Sequence, residues 1–123
     1  MALKRTSTDD DDVSLEGSVR DLTTQSELIC DPHRLIPSDL CANFLLEIRP
    51  TQGKASLRWE ADTLVIDGGL ESRGVLAENV LFLANQEYVE GRHMHVEYND
   101  YVGEESYLSE ASLPAVLYVR PDR

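Results

Sequence analysis

Residues 69–98 read GLESRGVLAENVLFLANQEYVEGRHMHVEY, and the change of period inside this stretch decides the fold. From Gly69 to Glu90, apolar residues return at steps of three, four and seven, as on one face of a helix. Leu70, Ala77, Val80, Leu81, Ala84 and Tyr88 form the stripe expected to lie on a sheet. Glu71, Glu78, Asn79 and Gln86 point elsewhere, but Val75 and Phe82 stand among them, seven residues apart. This second apolar strip is either covered by another part of the chain or is a partner or homodimer contact. Gly91 ends the helix as a C-cap. The period then falls to two: His93, His95 and Glu97 share one strand face, and Met94, Val96 and Tyr98 share the other, inward face.

Outward from this core the chain alternates clearly on both sides. Phe44, Leu46 and Ile48 alternate with Asn43, Glu47 and Arg49, and a turn at residues 50–53 comes next. Leu57 and Trp59 mark a second strand, and Leu64 and Ile66 a third, so residues 41–66 read as an antiparallel meander. Asp67-Gly68-Gly69 breaks the period and frees the backbone to enter the helix. Residues 99–111 read as a polar and aromatic loop. Ala115, Leu117 and Val119 oppose Val116 and Tyr118 in a last strand entered through Pro114. The expected fold is α+β, with an antiparallel sheet of about five strands in the order β-β-β-α-β-β and one main amphipathic helix across it.

The N-terminal third is harder to read. Residues 1–12 end in four consecutive aspartates and contain little to bury, so they are expected as a disordered acidic tail. Val13, Leu15, Val19, Leu22, Leu28 and Ile29 keep neither period for long; a short strand and a helical turn or two both fit. Asp31-Pro32 and Ile36-Pro37 then break any regular element between residues 30 and 40. Residues 13–40 are therefore expected as an irregular flank of a single α+β domain spanning 13–123.

The chain has 123 residues, is 41% hydrophobic and carries 11 Lys and Arg against 23 Asp and Glu, a formal net charge of −12. Residues 61–112 hold two basic side chains, Arg73 and Arg92, and eleven acidic ones, so −9 of that charge lies there. Such a field repels nucleic-acid phosphates and anionic membranes and attracts basic proteins. No apolar leader opens the chain and no window is long enough to span a bilayer, which points to the cytoplasm. There, Cys30 and Cys41 are expected to stay reduced, in or near the core.

His93 and His95, at i and i+2 on one strand face, could both reach a zinc or iron, with Glu97 supplying an oxygen. Exposed histidines on a sheet face are the plainer reading, and no bound metal or other cofactor is expected. No G-x-S-x-G, G-x-G-x-x-G or P-loop pattern occurs. Gly68-Gly69 precedes a helix, but Asp67 and Glu71 flank it and would repel a phosphate. Recognition remains. Tyr98, Tyr101 and Tyr107 interleave with Glu97, Asp100, Glu104, Glu105 and Glu110, combining amphipathic anchors with charges suited to Lys and Arg. Glu78 and Phe82 of the helix join all of these but Glu110 in the candidate partner-binding set.

An ordered set of features then resembles a known family: Leu57-Arg58-Trp59-Glu60, Thr63-Leu64-Val65-Ile66-Asp67-Gly68, the Leu/Ala helix, Gly91-x-His93-x-His95-x-Glu97-Tyr98, and a final apolar strand after Ser112. From Ser56 to Arg120 the chain is similar to the bacterial polymorphic-toxin immunity proteins grouped as immunity protein 32. The resemblance implies a small cytosolic inhibitor that neutralises a cognate toxin domain by stoichiometric binding, without catalysis of its own. Two other classes compete with it: a small metal-binding domain or metal-dependent enzyme using His93, His95 and Glu97, and a structural module dimerising through Val75 and Phe82.

Overall fold

The structure, a computed structural model, describes residues 3–34, 41–85, 92–98 and 106–120. Among these the element order is β1 (Lys4–Arg5), β2 (Val13–Gly17), α1 (Val19–Ile29), β3 (Leu45–Pro50), β4 (Ser56–Glu60), β5 (Thr63–Gly68), α2 (Leu70–Asn85), β6 (His93–Val96) and β7 (Ala115–Val119). The fold is α+β. The strands make two sheets rather than one: β1-β2-β7-β6, and β3-β5-β4. Helix α2 packs against α1 and lies across β5.

Neither sheet is purely antiparallel. Strand β2 runs parallel to β7, with Val13 opposite Ala115 and Gly17 opposite Val119. Strand β3 runs parallel to β5, while β4 and β5 form an antiparallel pair. The expected meander is therefore corrected: β5 inserts between β3 and β4. Ala61, at a φ of 55°, makes the tight reversal from β4 into β5. The longer connection at residues 51–55 lets β4 leave the edge of β3. The free edge of β4 is then covered by the segment that leads into β7. Ala55 N–H donates to Tyr107 O, Ser109 N–H to Ala55 O and Leu113 N–H to Leu57 O, at 2.8–2.9 Å. That edge would otherwise be open to pairing with another chain.

Of the expected disordered tail, the described part, residues 3–12, is docked. Leu3 is fully buried and packs close over Gly17, where an added Cβ would lie 2.6 Å from the Leu3 side chain. Ala42 N–H donates to Leu3 O at 2.8 Å, and Asn43 completes the join through Arg5 N–H to Asn43 Oδ1 at 2.7 Å and Asn43 Nδ2 to Arg5 O at 2.9 Å. The Arg5 guanidinium lies 3.7 Å from the Trp59 ring centre, a cation–π contact, while Trp59 Nε1 donates to Asp12 O at 2.8 Å. Composition suggested disorder because Asp9 to Asp12 dominate the count, whereas one leucine and one arginine hold the segment.

The expected irregular flank likewise contains β2 and the eleven-residue α1. Helix α1 starts on a capping box: Asp21 N–H donates to Ser18 Oγ and Ser18 N–H donates to Asp21 Oδ2, each at 3.1 Å. Arg120, just past β7, donates Nη2 to the same Asp21 carboxylate at 3.1 Å, which ties α1 to the end of the chain.

In α2 the buried stripe is Arg73, Leu76, Ala77, Val80, Leu83 and Ala84. Ala77, Val80 and Ala84 fall where the period placed them. Leu70 and Leu81 do not: they are exposed, at 51% and 37%. Tyr88 lies outside the described residues. Apolar residues surround this helix in most directions, so its rotation is fixed by what it packs on rather than by its own pattern. Gly68, at a φ of +127° with Ala55 Cα 2.6 Å from any added Cβ, lets β5 turn sharply into it.

Among the described residues no helix packs on the outer face of β3-β5-β4, which carries a network of charges. Arg34 and Arg49 donate to Glu47, Arg49 and Arg58 to Glu60, and Arg58 to Asp67, which also accepts from Ser56. Hydrogen bonds first from Arg49 and then from Arg34 hold the Glu47 carboxyl at about 2, below its ordinary 4.5. Val65, between these charges in register, is completely buried. Three arginines and three carboxylates balance there, so this face adds little to the net charge.

Candidate functional site

Helix α2 turns a face to solvent that is apolar at its margins and acidic along its middle. At 100° per residue, Leu70 and Leu81 fall on one margin and Val75 and Phe82 on the other. Glu71 and Glu78 run between them, and both are exposed. Phe82 is 65% exposed, the highest value among the exposed large apolar residues. Glu71 and Glu78 take part in no ion pair among the described residues. The helix has one basic side chain, Arg73, and it is turned inward and buried.

The face rests on a rigid foundation. Arg73 Nε donates to Gly68 O at 2.8 Å, and its Nη1 donates to Ile29 O at 2.8 Å and Asp31 O at 2.6 Å. One guanidinium thus joins the end of β5, the start of α2 and the C-terminal end of α1, where a cation also meets the negative end of the helix dipole. No basic residue of α1 itself stands in its last turn.

Tyr107 belongs to this neighbourhood. Its hydroxyl accepts from Asn79 Nδ2 at 3.1 Å, and its ring, with Lys54, Leu70, Glu71 and Val75, lines a cleft of about 480 Å³ beside the start of α2. Burial pushes the Tyr107 hydroxyl above the ordinary phenol range, the Asn79 bond opposing this in part. Glu78 and Phe82 are on α2 itself. Glu97, exposed, and Tyr98, half-buried, come after β6 instead, at the edge of the other sheet. Asp100, Tyr101, Glu104 and Glu105 lie outside the described residues. The structure therefore groups Glu78, Phe82 and Tyr107 around α2 and adds Leu70, Glu71, Val75 and Leu81 to them. Leu70 and Leu81 were missed because both fit a buried stripe by spacing alone.

His93 and His95 are exposed on edge strand β6, with ring centres 5.1 Å apart, and the His93 ring lies 5.4 Å from that of Tyr118. Met94 and Val96 turn inward as the alternation predicts. Among the described residues no group of three or more His, Cys, Asp or Glu is placed to hold a metal ion. His93, His95 and Glu97 are all exposed, with Glu97 just past the end of β6.

The cysteines differ from one another. Cys41 is half-buried against the core, and burial pushes its thiol up to about 12. Cys30, expected in or near the core, is exposed where it caps α1. Its neighbour Ile29 takes the buried position on the helix. Both cysteines are free thiols.

No protein-family model, no curated protein and no solved structure matches this chain. Among the described residues, no helix is long and apolar enough to cross a membrane.

Proposed function

We propose that this protein is an immunity protein of the immunity protein 32 type, a cytoplasmic inhibitor that binds a basic toxin domain and neutralises it by occupying its surface. The observation that carries the reading is the outward face of α2. It sets Leu70, Val75, Leu81 and Phe82 around Glu71 and Glu78, on a helix locked to the body of the fold by Arg73. Apolar anchors supply contact area, and carboxylates meet Lys and Arg across the interface. A toxin that cleaves nucleic acid has a basic substrate groove, and a chain of net charge −12 is suited to approach it. Glu97, Tyr98 and the acidic segment around Glu104 and Glu105 extend the binding set beyond the helix. No cofactor takes part, and the reading requires no chemistry of the chain's own.

The test is stoichiometric inhibition. A toxin-tailed gene beside the coding sequence is the expected source of the partner, and its toxin domain should lose activity linearly as the purified chain is added, reaching the end point at one equivalent. Co-expression should restore growth. Toxin that remains fully active with excess chain present, and no complex on gel filtration, would overturn the proposal.

A further inference from the structure

We infer that the groove between α1 and α2 receives an arginine side chain of the partner protein. This rests on the reading of the chain as an inhibitor and locates one point at which the partner is gripped. Ser26, Glu27 and Cys30 on the α1 side and Ala77, Glu78 and Leu81 on the α2 side line a groove of about 360 Å³. Its floor is apolar, with Ala77 buried and Leu81 exposed at its margin. Its lining is apolar almost throughout, and a glutamate borders it on each helix: Glu27 on α1 and Glu78 on α2, both exposed and neither in an ion pair among the described residues. Among the described residues no basic side chain lines it. Arg73, the one cation of α2, is buried at the end of α1 and committed to the carbonyls of Gly68, Ile29 and Asp31.

An apolar channel between two carboxylates matches a side chain that is aliphatic along its stem and cationic at its tip. Lysine and arginine both have that form. Arginine fits better, because its planar fork can engage a carboxylate through two parallel hydrogen bonds and is less strongly hydrated than an ammonium group. A second copy of this chain is the poorer occupant: it brings its own net charge of −12 and its own Glu78 to the contact.

The groove can be tested without the toxin. N-acetyl-arginine amide is titrated into the ¹⁵N-labelled full chain, with the neutral citrulline analogue as control. Saturable shifts are expected at the amides of Ser26, Glu27, Cys30, Ala77, Glu78 and Leu81, with citrulline at least roughly five-fold weaker. The double variant Glu27→Gln, Glu78→Gln removes only exposed charge, so its thermal melt should be unchanged, and it should bind the arginine probe roughly ten-fold more weakly. Shifts spread evenly over Glu71, Glu97 and Glu110, equal response to citrulline, no shifts at all, or an unaffected double variant would each overturn the assignment. Arginine binding in the groove together with failure to inhibit any toxin would remove the proposed function and leave the groove standing. Inhibition by the single variant Glu27→Gln as tight as by the native chain would remove the groove and leave the function, because Glu27 lies on α1, outside the α2 face that carries the function.

Discussion

Arg73 Nη1 donates to Ile29 O at 2.8 Å, so a residue in the first turn of α2 closes the last turn of α1, forty-four positions earlier in the chain. The same guanidinium satisfies Gly68 O and Asp31 O, and it is 1% exposed. Among the described residues its partners are carbonyl oxygens rather than a carboxylate. Arg73→Met keeps most of the volume but takes the guanidinium from Ile29 O and Asp31 O, each costing about 1–3 kcal/mol when left unsatisfied, while Gly68 O keeps the Thr51 N–H at 3.1 Å. The variant should therefore lose about 3 kcal/mol or more of stability in urea denaturation, and Arg73→Lys should recover only part of it, lacking the fork. A midpoint shifted by less than the measurement error would show that the anchor is dispensable.

Leu3 makes the N-terminus part of the fold. Its side chain fills the space above Gly17, and its carbonyl pairs with Ala42. Leu3→Ala should cost about 2–5 kcal/mol, the range for a fully buried leucine, and deletion of residues 1–12 should cost at least as much. Melting temperatures of truncated and full-length chains equal within a few degrees would contradict this.

The ionic ladder on the outer face of β3-β5-β4 predicts how stability depends on pH. The folded-state value of Glu47 is about 2 against an ordinary 4.5, and that of Glu60 is also lowered, by Arg49 and then Arg58. A depressed carboxyl contributes stability that is fully present above its unfolded value and is lost as pH falls toward the folded one. Unfolding midpoints measured in urea should thus fall between about pH 5 and 2. Glu47→Gln should flatten that fall, with its largest effect near neutral pH, where the native carboxylate is ionised. Parallel curves for the two proteins would show that the ladder contributes nothing.

The two thiols should separate chemically. Cys30 is exposed, whereas the Cys41 thiol is held at about 12 by burial, so little of it is thiolate at pH 8. Brief iodoacetamide treatment of the native protein, with peptide mass mapping afterwards, should find Cys30 alkylated and Cys41 intact. Both should react in urea.

The fold is legible in the sequence wherever the chain keeps a simple period. Strands β4, β6 and β7 alternate as read, because each buries one face and leaves the other half-exposed. Helix α1 was obscured because its buried face includes Asp21, Gln25 and Ser26, which an apolar count ignores; Ser18 three residues before Asp21 was the available signal. The pairing of β2 with β7 joins residues about a hundred positions apart, and no local pattern encodes it. In the candidate site, the seven-residue spacing of Val75 and Phe82 was legible, and both are exposed. The exposure of Leu70 and Leu81 was not, since it depends on the rotation that Arg73 and α1 impose on α2.

Stopped-flow association kinetics against a basic toxin domain test most directly whether the acidic and apolar face of α2 grips it, as proposed. Charge steering predicts an on-rate that falls steeply between low and physiological salt, while dissociation changes much less. Glu71→Lys with Glu78→Lys should lower the on-rate roughly ten-fold at low ionic strength, and Phe82→Ala should act mainly on the off-rate, raising it roughly ten-fold or more. On-rates indifferent to salt and to both glutamate reversals, together with an unchanged off-rate in Phe82→Ala, would contradict the account.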